Sequence, residues 1–201
     1  MASKRRKSVK WTDLVEQMDR DPGSVARRAE QRRTLDERAA ALAVAEEPIV
    51  RELRQQRVKC DSVWDLVNGS ADDYRWALPV LGRHLELEYP ERVLEGVARA
   101  IAVRGCSRYW DVLVRRYRSA EDRGLRDGLA VAVAAAAEDS GDKARLSDLA
   151  LMVCDAALGS SRVLLVSTIA RLGGEDCRRV ASRACQDSEV QGELARHGLC
   201  G

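Results

Sequence analysis

The residues best placed to bind a partner are arginines. Arg104, Arg108, Asp111, Arg115 and Arg118 step by four, three, four and three, which is the spacing of one face of an α-helix. Such a stripe stacks four guanidiniums with one internal carboxylate, and Arg116, Arg123 and Arg126 follow close in sequence. The planar fork of a guanidinium binds two oxygens of a carboxylate or phosphate together. On the same stretch Trp110, Leu113, Val114 and Tyr117 follow i, i+3, i+4, i+7 and are expected to face a core. The plainer reading of the stripe is a solvated face whose arginines pair with acids of adjacent helices.

Other chemistry is hard to assemble. The chain has no Walker loop, no GxGxxG, no GxSxG and no HExxH. His84 sits near Leu81, Leu85 and Leu87 on an amphipathic pattern with no nucleophile beside it, so a structural imidazole is expected rather than a general base. Asp72, Asp73 and Asp127 fall where helices start, and capping is their expected role. Cysteines stand at 60, 106, 154, 177, 185 and 200 with no CxxC pair, a spacing that argues against zinc. Reduced thiols packed as small hydrophobes are expected instead. No catalytic residue, metal or cofactor is assigned, and a non-enzymatic role follows.

The elements that must carry these residues are helical. The 201 residues include 28 Ala, 22 Leu and 21 Val, against three Ile, three Thr and no Phe. Helix formers dominate and strand formers other than Val are scarce, which excludes an all-β fold. Charge is uneven: residues 1–60 carry a net +5 and residues 61–201 a net −3. Much of the excess lies in Lys4, Arg5, Arg6, Lys7 and Lys10, a run able to grip phosphates or to remain a solvated tail. No apolar leader and no run of about 18 apolar residues is present, so the expected address is cytoplasmic, without a membrane partner.

The punctuation defines four regions. Residues 1–10 are a basic tail, expected to be disordered. Residues 11–60 are charged N-terminal helices, one over Trp11–Met18 and one from Val25 onward with Ser24 as its cap. Leu35, Ala39, Leu42, Ile49 and Leu53 form an apolar stripe expected to pack on the rest of the chain, with a kink or restart at Pro48. Residues 61–188 read as short helices: Ser62 with Asp65 makes a capping box, Ser70 opens a helix to about Glu88, and Pro90 begins another. Residues 189–201 are a C-terminal cap or tail. Within the third region Val93–Ala102 aligns on Leu125–Ala134 at an offset of 32, matching Glu95-Gly96 with Asp127-Gly128. A looser copy covers Arg162–Arg171, and each copy precedes a second helix (106–118, 143–157, 175–186). Helix pairs recurring at this period are the mark of an α-solenoid.

Over residues 62–187, chiefly 91–118, 124–157 and 160–186, the chain resembles short HEAT-like repeat proteins. Trp64-Asp65-Leu66-Val67-Asn68 and Asp127-Gly128-Leu129-Ala130 look like a group of actinobacterial HEAT-repeat proteins. The resemblance implies an all-α fold, an α-α superhelix of HEAT-like antiparallel helix pairs with an N-terminal helical extension. It would place second helices, and so Arg104, Arg108, Arg115 and Arg118, on a concave surface. The expected function is a scaffold or adaptor binding a protein partner there, with no small-molecule substrate evident. The alternative is a nucleic-acid binder in the style of the HEAT-like alkylpurine DNA glycosylases. Trp110 on a core face and the net negative charge of residues 61–201 weigh against it.

Overall fold

The computed structural model describes Trp11 and residues 21–200. The basic tail expected over 1–10 lies outside the described residues, as does the helix expected over 11–18 apart from Trp11. The fold is all-α, with no strand among the described residues. The chain divides into two units, 1–44 and 45–201.

Helix α1, Pro22–Gln55, contributes to both. In the first unit Asp21, not Ser24, caps it: its carboxylate accepts the Ser24 N–H at 2.9 Å and the Ser24 hydroxyl at 2.6 Å. Pro22 occupies the first position, where a missing N–H removes no helical bond. Arg33 pairs with Glu30 and Glu37 along the surface. Within this unit Leu35 is 63% exposed, Ala39 is exposed and Leu42 is half-buried. In the second unit the stripe is buried at Ile49 and Leu53. The helix continues through Pro48 without restarting. Burial of the apolar residues beyond the proline offsets the backbone bond it removes.

Among the described residues nine further α-helices build the second unit: α2 Val63–Asn68, α3 Leu78–Leu85, α4 Glu91–Ile101, α5 Trp110–Ser119, α6 Arg123–Ser140, α7 Lys143–Cys154, α8 Val163–Leu172, α9 Glu175–Ala181 and α10 Gln191–Arg196. Alternate helices α2, α4, α6 and α8 lie against one another in order. Between them, α3 packs on α4, α5 on α6, and α7 on both α8 and α9. The repeated glycine serves the first of these layers. A Cβ on Gly96 would meet the Trp64 indole of α2 at 3.0 Å, and one on Gly128 would meet the Glu95 carbonyl of α4 at 3.1 Å. Each glycine therefore admits the preceding helix of the layer at close range.

Local starts follow the caps only in part. Ser62 and Asp65 form the reciprocal capping box on α2. The single helix expected from Ser70 to Glu88 is instead two 3₁₀ turns, Ala71–Asp73 and Arg75–Ala77, followed by α3. Tyr74 breaks the run with φ −151° and ψ −2°; its side chain is buried and its hydroxyl donates to the Ala100 carbonyl at 2.9 Å. Asp127 is not a cap, because α6 starts at Arg123 and Asp122 accepts the Leu125 N–H at 2.8 Å. Among the described residues no single helix is long and apolar enough to cross a membrane.

Candidate functional site

The arginine-bearing segment begins as a turn. Cys106–Tyr109 is a 3₁₀ turn and only Trp110–Ser119 is α-helical, so Arg104 and Arg108 do not continue the helical stripe predicted for them. The turn is held from outside. Asp139 at the end of α6 accepts the N–H groups of Gly105 and Ser107, each at 3.0 Å. Burial works against the Asp139 carboxylate, yet those bonds and the nearby Arg104 charge hold it below its ordinary value. Arg145 of α7 donates to the Ser107 carbonyl at 2.8 Å and lies over the Trp110 ring at 5.2 Å. Gly105 supplies φ +96°, a left-handed conformation that a side chain would strain.

On α5 the core face follows the pattern in part: Trp110, Leu113 and Tyr117 are buried, Val114 is only half-buried, and Val112, outside the pattern, is buried instead. Asp111, Arg115 and Arg118 are exposed together. Arg115 donates to Glu86 at 3.2 Å, and the neighbouring Arg116 donates to the Leu87 carbonyl at 2.9 Å, so α5 clamps the turn that leaves α3. Arg108 turns back, its Nε donating to the Gly105 carbonyl at 3.1 Å. Arg118 makes no hydrogen bond or ion pair among the described residues. The four arginines thus divide: Arg104 supports Asp139 electrostatically, Arg108 closes its own turn, Arg115 braces α3, and Arg118 stands in solvent. On α7 the exposed face carries Ala144, Ser147, Asp148 and Leu151, the last 55% exposed.

Three buried polar centres were not singled out as a group by spacing. Glu95, buried on α4, accepts from Arg92 at 2.7 Å and Arg99 at 2.9 Å, and Arg92 also stacks over Trp64 at 3.8 Å. Arg162 is 0% exposed and is satisfied by the carbonyls of Gly159 and Val153 and by Asp187 and Glu189. An arginine opening an apolar run, with two acids 25 and 27 residues later, was the available signal. His84 is buried, with its Nδ1 2.8 Å from the Tyr89 hydroxyl.

The thiols do not form a reactive set. Cys60, Cys106, Cys154 and Cys177 are free. Burial pushes the Cys106 thiol up to about 12, far from a thiolate at neutral pH. The expectation of reduced cysteines throughout is overturned at the C-terminus, where Cys185 and Cys200 form a disulfide with Cα atoms 5.7 Å apart. Among the described residues no group of three or more His, Cys, Asp or Glu side chains could hold a metal ion.

Comparison of the chain with protein-family models, curated proteins and solved structures returned no match.

Proposed function

We propose that residues 45–201 form a HEAT-like interaction scaffold that binds a protein partner along its second-helix surface, the surface that the HEAT resemblance makes concave. Arg104, Arg108, Arg115 and Arg118 contribute to contact, and no chemical step is assigned. The observation that carries this reading is the outward face of α5, where Asp111, Arg115 and Arg118 are exposed while Trp110, Leu113 and Tyr117 are held in the core. The exposed face of α7 carries both Asp148 and Leu151. Mixed charge with an apolar residue suits a protein surface better than a phosphate backbone, which asks for uninterrupted positive charge.

The test is capture from the native host with and without nuclease, using the wild type beside Arg115→Glu with Arg118→Glu. A stoichiometric partner that survives nuclease and is lost by the variant is the expected result, with melting unchanged within a few degrees. Reversing exposed charges typically alters stability by about 0.5 kcal/mol, whereas at an interface it removes attraction and adds repulsion. Capture that is nuclease-sensitive and falls steeply with salt would instead establish nucleic-acid binding. Equal capture by wild type and variant would remove α5 from the interface.

A further inference from the structure

Among the described residues Arg57 is the one non-glycine residue with a positive φ, at 64°. It follows the last turn of α1, where two bonds close the helix. The Arg57 N–H donates to the Arg54 carbonyl at 2.9 Å, and the Val58 N–H to the Leu53 carbonyl at 3.0 Å. Such a closure favours glycine at the left-handed position, because a Cβ there crowds the following carbonyl. The closure makes no use of the Arg57 side chain. That side chain is exposed and has no hydrogen bond or ion pair among the described residues.

Arg57 lines an open cavity of about 600 Å³ with Arg54, Lys59, Cys60, Asp61 and Asp65. The acids of this cavity are already engaged. Asp61 pairs with Arg54, and Asp65 accepts the N–H groups of Asp61 at 2.7 Å and Ser62 at 2.9 Å. Arg54 also donates to the Cys60 carbonyl at 2.9 Å. Lys59 is exposed and, like Arg57, has no side-chain partner among the described residues. The uncompensated charge of the lining is therefore positive. Burial holds the Cys60 thiol above its ordinary value, so the cavity offers charge and not a nucleophile. Trp76 stands beside it, 51% exposed, its indole N–H donating to the Gln56 carbonyl at 2.9 Å. That bond sets the ring against the peptide unit joining Gln56 to Arg57 and satisfies its single polar atom. Arg75 pairs with Asp72 at 3.3 Å, and Asp73 is not part of the cavity lining.

We propose that Arg57, Lys59 and Trp76 form a docking site for an acidic peptide segment of a partner protein. Carboxylates of that segment meet the two cations, and an apolar side chain covers the indole. The site lies at the end of α1 and does not rest on the α5 reading above, so either can fail without the other. Trp and Arg are the residues that carry most energy at protein interfaces, and a guanidinium fork matches a carboxylate. A phosphodiester strand asks for a run of cations, whereas here Asp61 and Asp65 stand between them. The basic run Lys4, Arg5, Arg6, Lys7 and Lys10 of the same chain has the wrong sign to fill the site. Backbone strain at Arg57 is then the cost of placing a cation where glycine would close the helix better.

The experiment measures fluorescence polarisation of a labelled peptide of repeated Asp-Glu-Leu against the full chain, beside thermal melting. Wild type is expected to bind it with a Kd of about 10–100 μM, and not to bind the peptide in which Lys replaces both acids. Arg57→Gly is expected to raise Tm by about 2–4 °C, because it relieves the left-handed backbone. The same variant is expected to weaken peptide binding about 10-fold. A variant more stable than wild type cannot lose binding by unfolding. Lys59→Glu is expected to weaken binding at least as much, with Tm unchanged within a few degrees. Arg57→Gly that gains stability yet binds equally well would overturn the proposal. A lower Tm in Arg57→Gly would give the side chain a structural role and overturn it too. So would no binding by wild type at about 1 mM peptide, or tighter binding of an oligothymidylate of equal length, which would make this a nucleic-acid site.

Discussion

Arg162 shows what a fully enclosed cation requires. Its guanidinium has no solvent exposure, and two backbone carbonyls and two carboxylates take up its donors. Burial alone would lower its pKa, but the bonds from Asp187 and Glu189 raise it, so the side chain is charged at every pH the fold survives. Arg162→Met is expected to cost about 3 kcal/mol, because the carbonyls of Gly159 and Val153 lose their partner while the acids are left to solvent. Chemical denaturation of the two proteins measures it. Glu95 is a milder case, since Arg92 and Arg99 keep 55% and 30% of their side-chain exposure and can be hydrated. Glu95→Gln should therefore cost less, about 1–2 kcal/mol, and an equal or larger loss than Arg162→Met would contradict this ordering.

Between helices, small residues and covalent closure decide the geometry. Gly128 lets α6 approach the α4 backbone, with Glu95 Cγ and O both 3.1 Å from where a Cβ would sit. Gly128→Leu must part the two helices, and a loss of about 1–3 kcal/mol is expected from overpacking, read as a lower melting temperature with helicity retained below it. At the C-terminus, Val190 and Leu194 are fully buried, and the Cys185–Cys200 bond closes the segment that carries the Arg162 counter-ions. Reduction by a dithiol removes that closure. Hydrogen exchange over residues 187–199 is expected to accelerate while α4 and α6 keep their protection. Uniform acceleration would show that the clasp supports the whole unit.

Taken as a stack, residues 45–201 have a covering at both ends. The last turns of α1 bury Ile49 and Leu53 at one, and the segment with Val190, Leu194 and Leu199 closes the other. A helix at the end of any packed series has an apolar face without a neighbour, and burying that face needs such a cover. Glu46 secures the first cover, accepting the Ser62 hydroxyl and the Val63 N–H at 3.0 Å each while itself buried. A chain beginning at Ala45 keeps every one of these contacts. Such a chain is expected to unfold in a single cooperative transition, within a few degrees of the full protein by calorimetry. Loss of cooperativity would place essential contacts in residues 1–44.

Local chemistry determined the class of fold and some of the element boundaries. Composition excluded an all-β fold, Ser62 and Asp65 announced the start of α2, and helical spacing put Trp110, Leu113 and Tyr117 inward, though not Val114. The Glu95-Gly96 and Asp127-Gly128 match located the layer of close helix contacts, although nothing local reveals that the glycines face the preceding helix. Properties set between distant segments were not legible. Arg104 and Arg108 left the helical stripe because Asp139, over 30 residues away, captures the Gly105 and Ser107 N–H groups. The expected helix after Ser70 gave way because Tyr74 reaches Ala100. His84 acquired its unpartnered nitrogen, and Cys185 its bond to Cys200, from neighbours that only folding supplies. Helix period and caps are short-range terms that adjacent residues satisfy among themselves. Satisfaction of a buried donor, a charge or a thiol depends on which remote atoms arrive beside it, and that is decided when the helices pack.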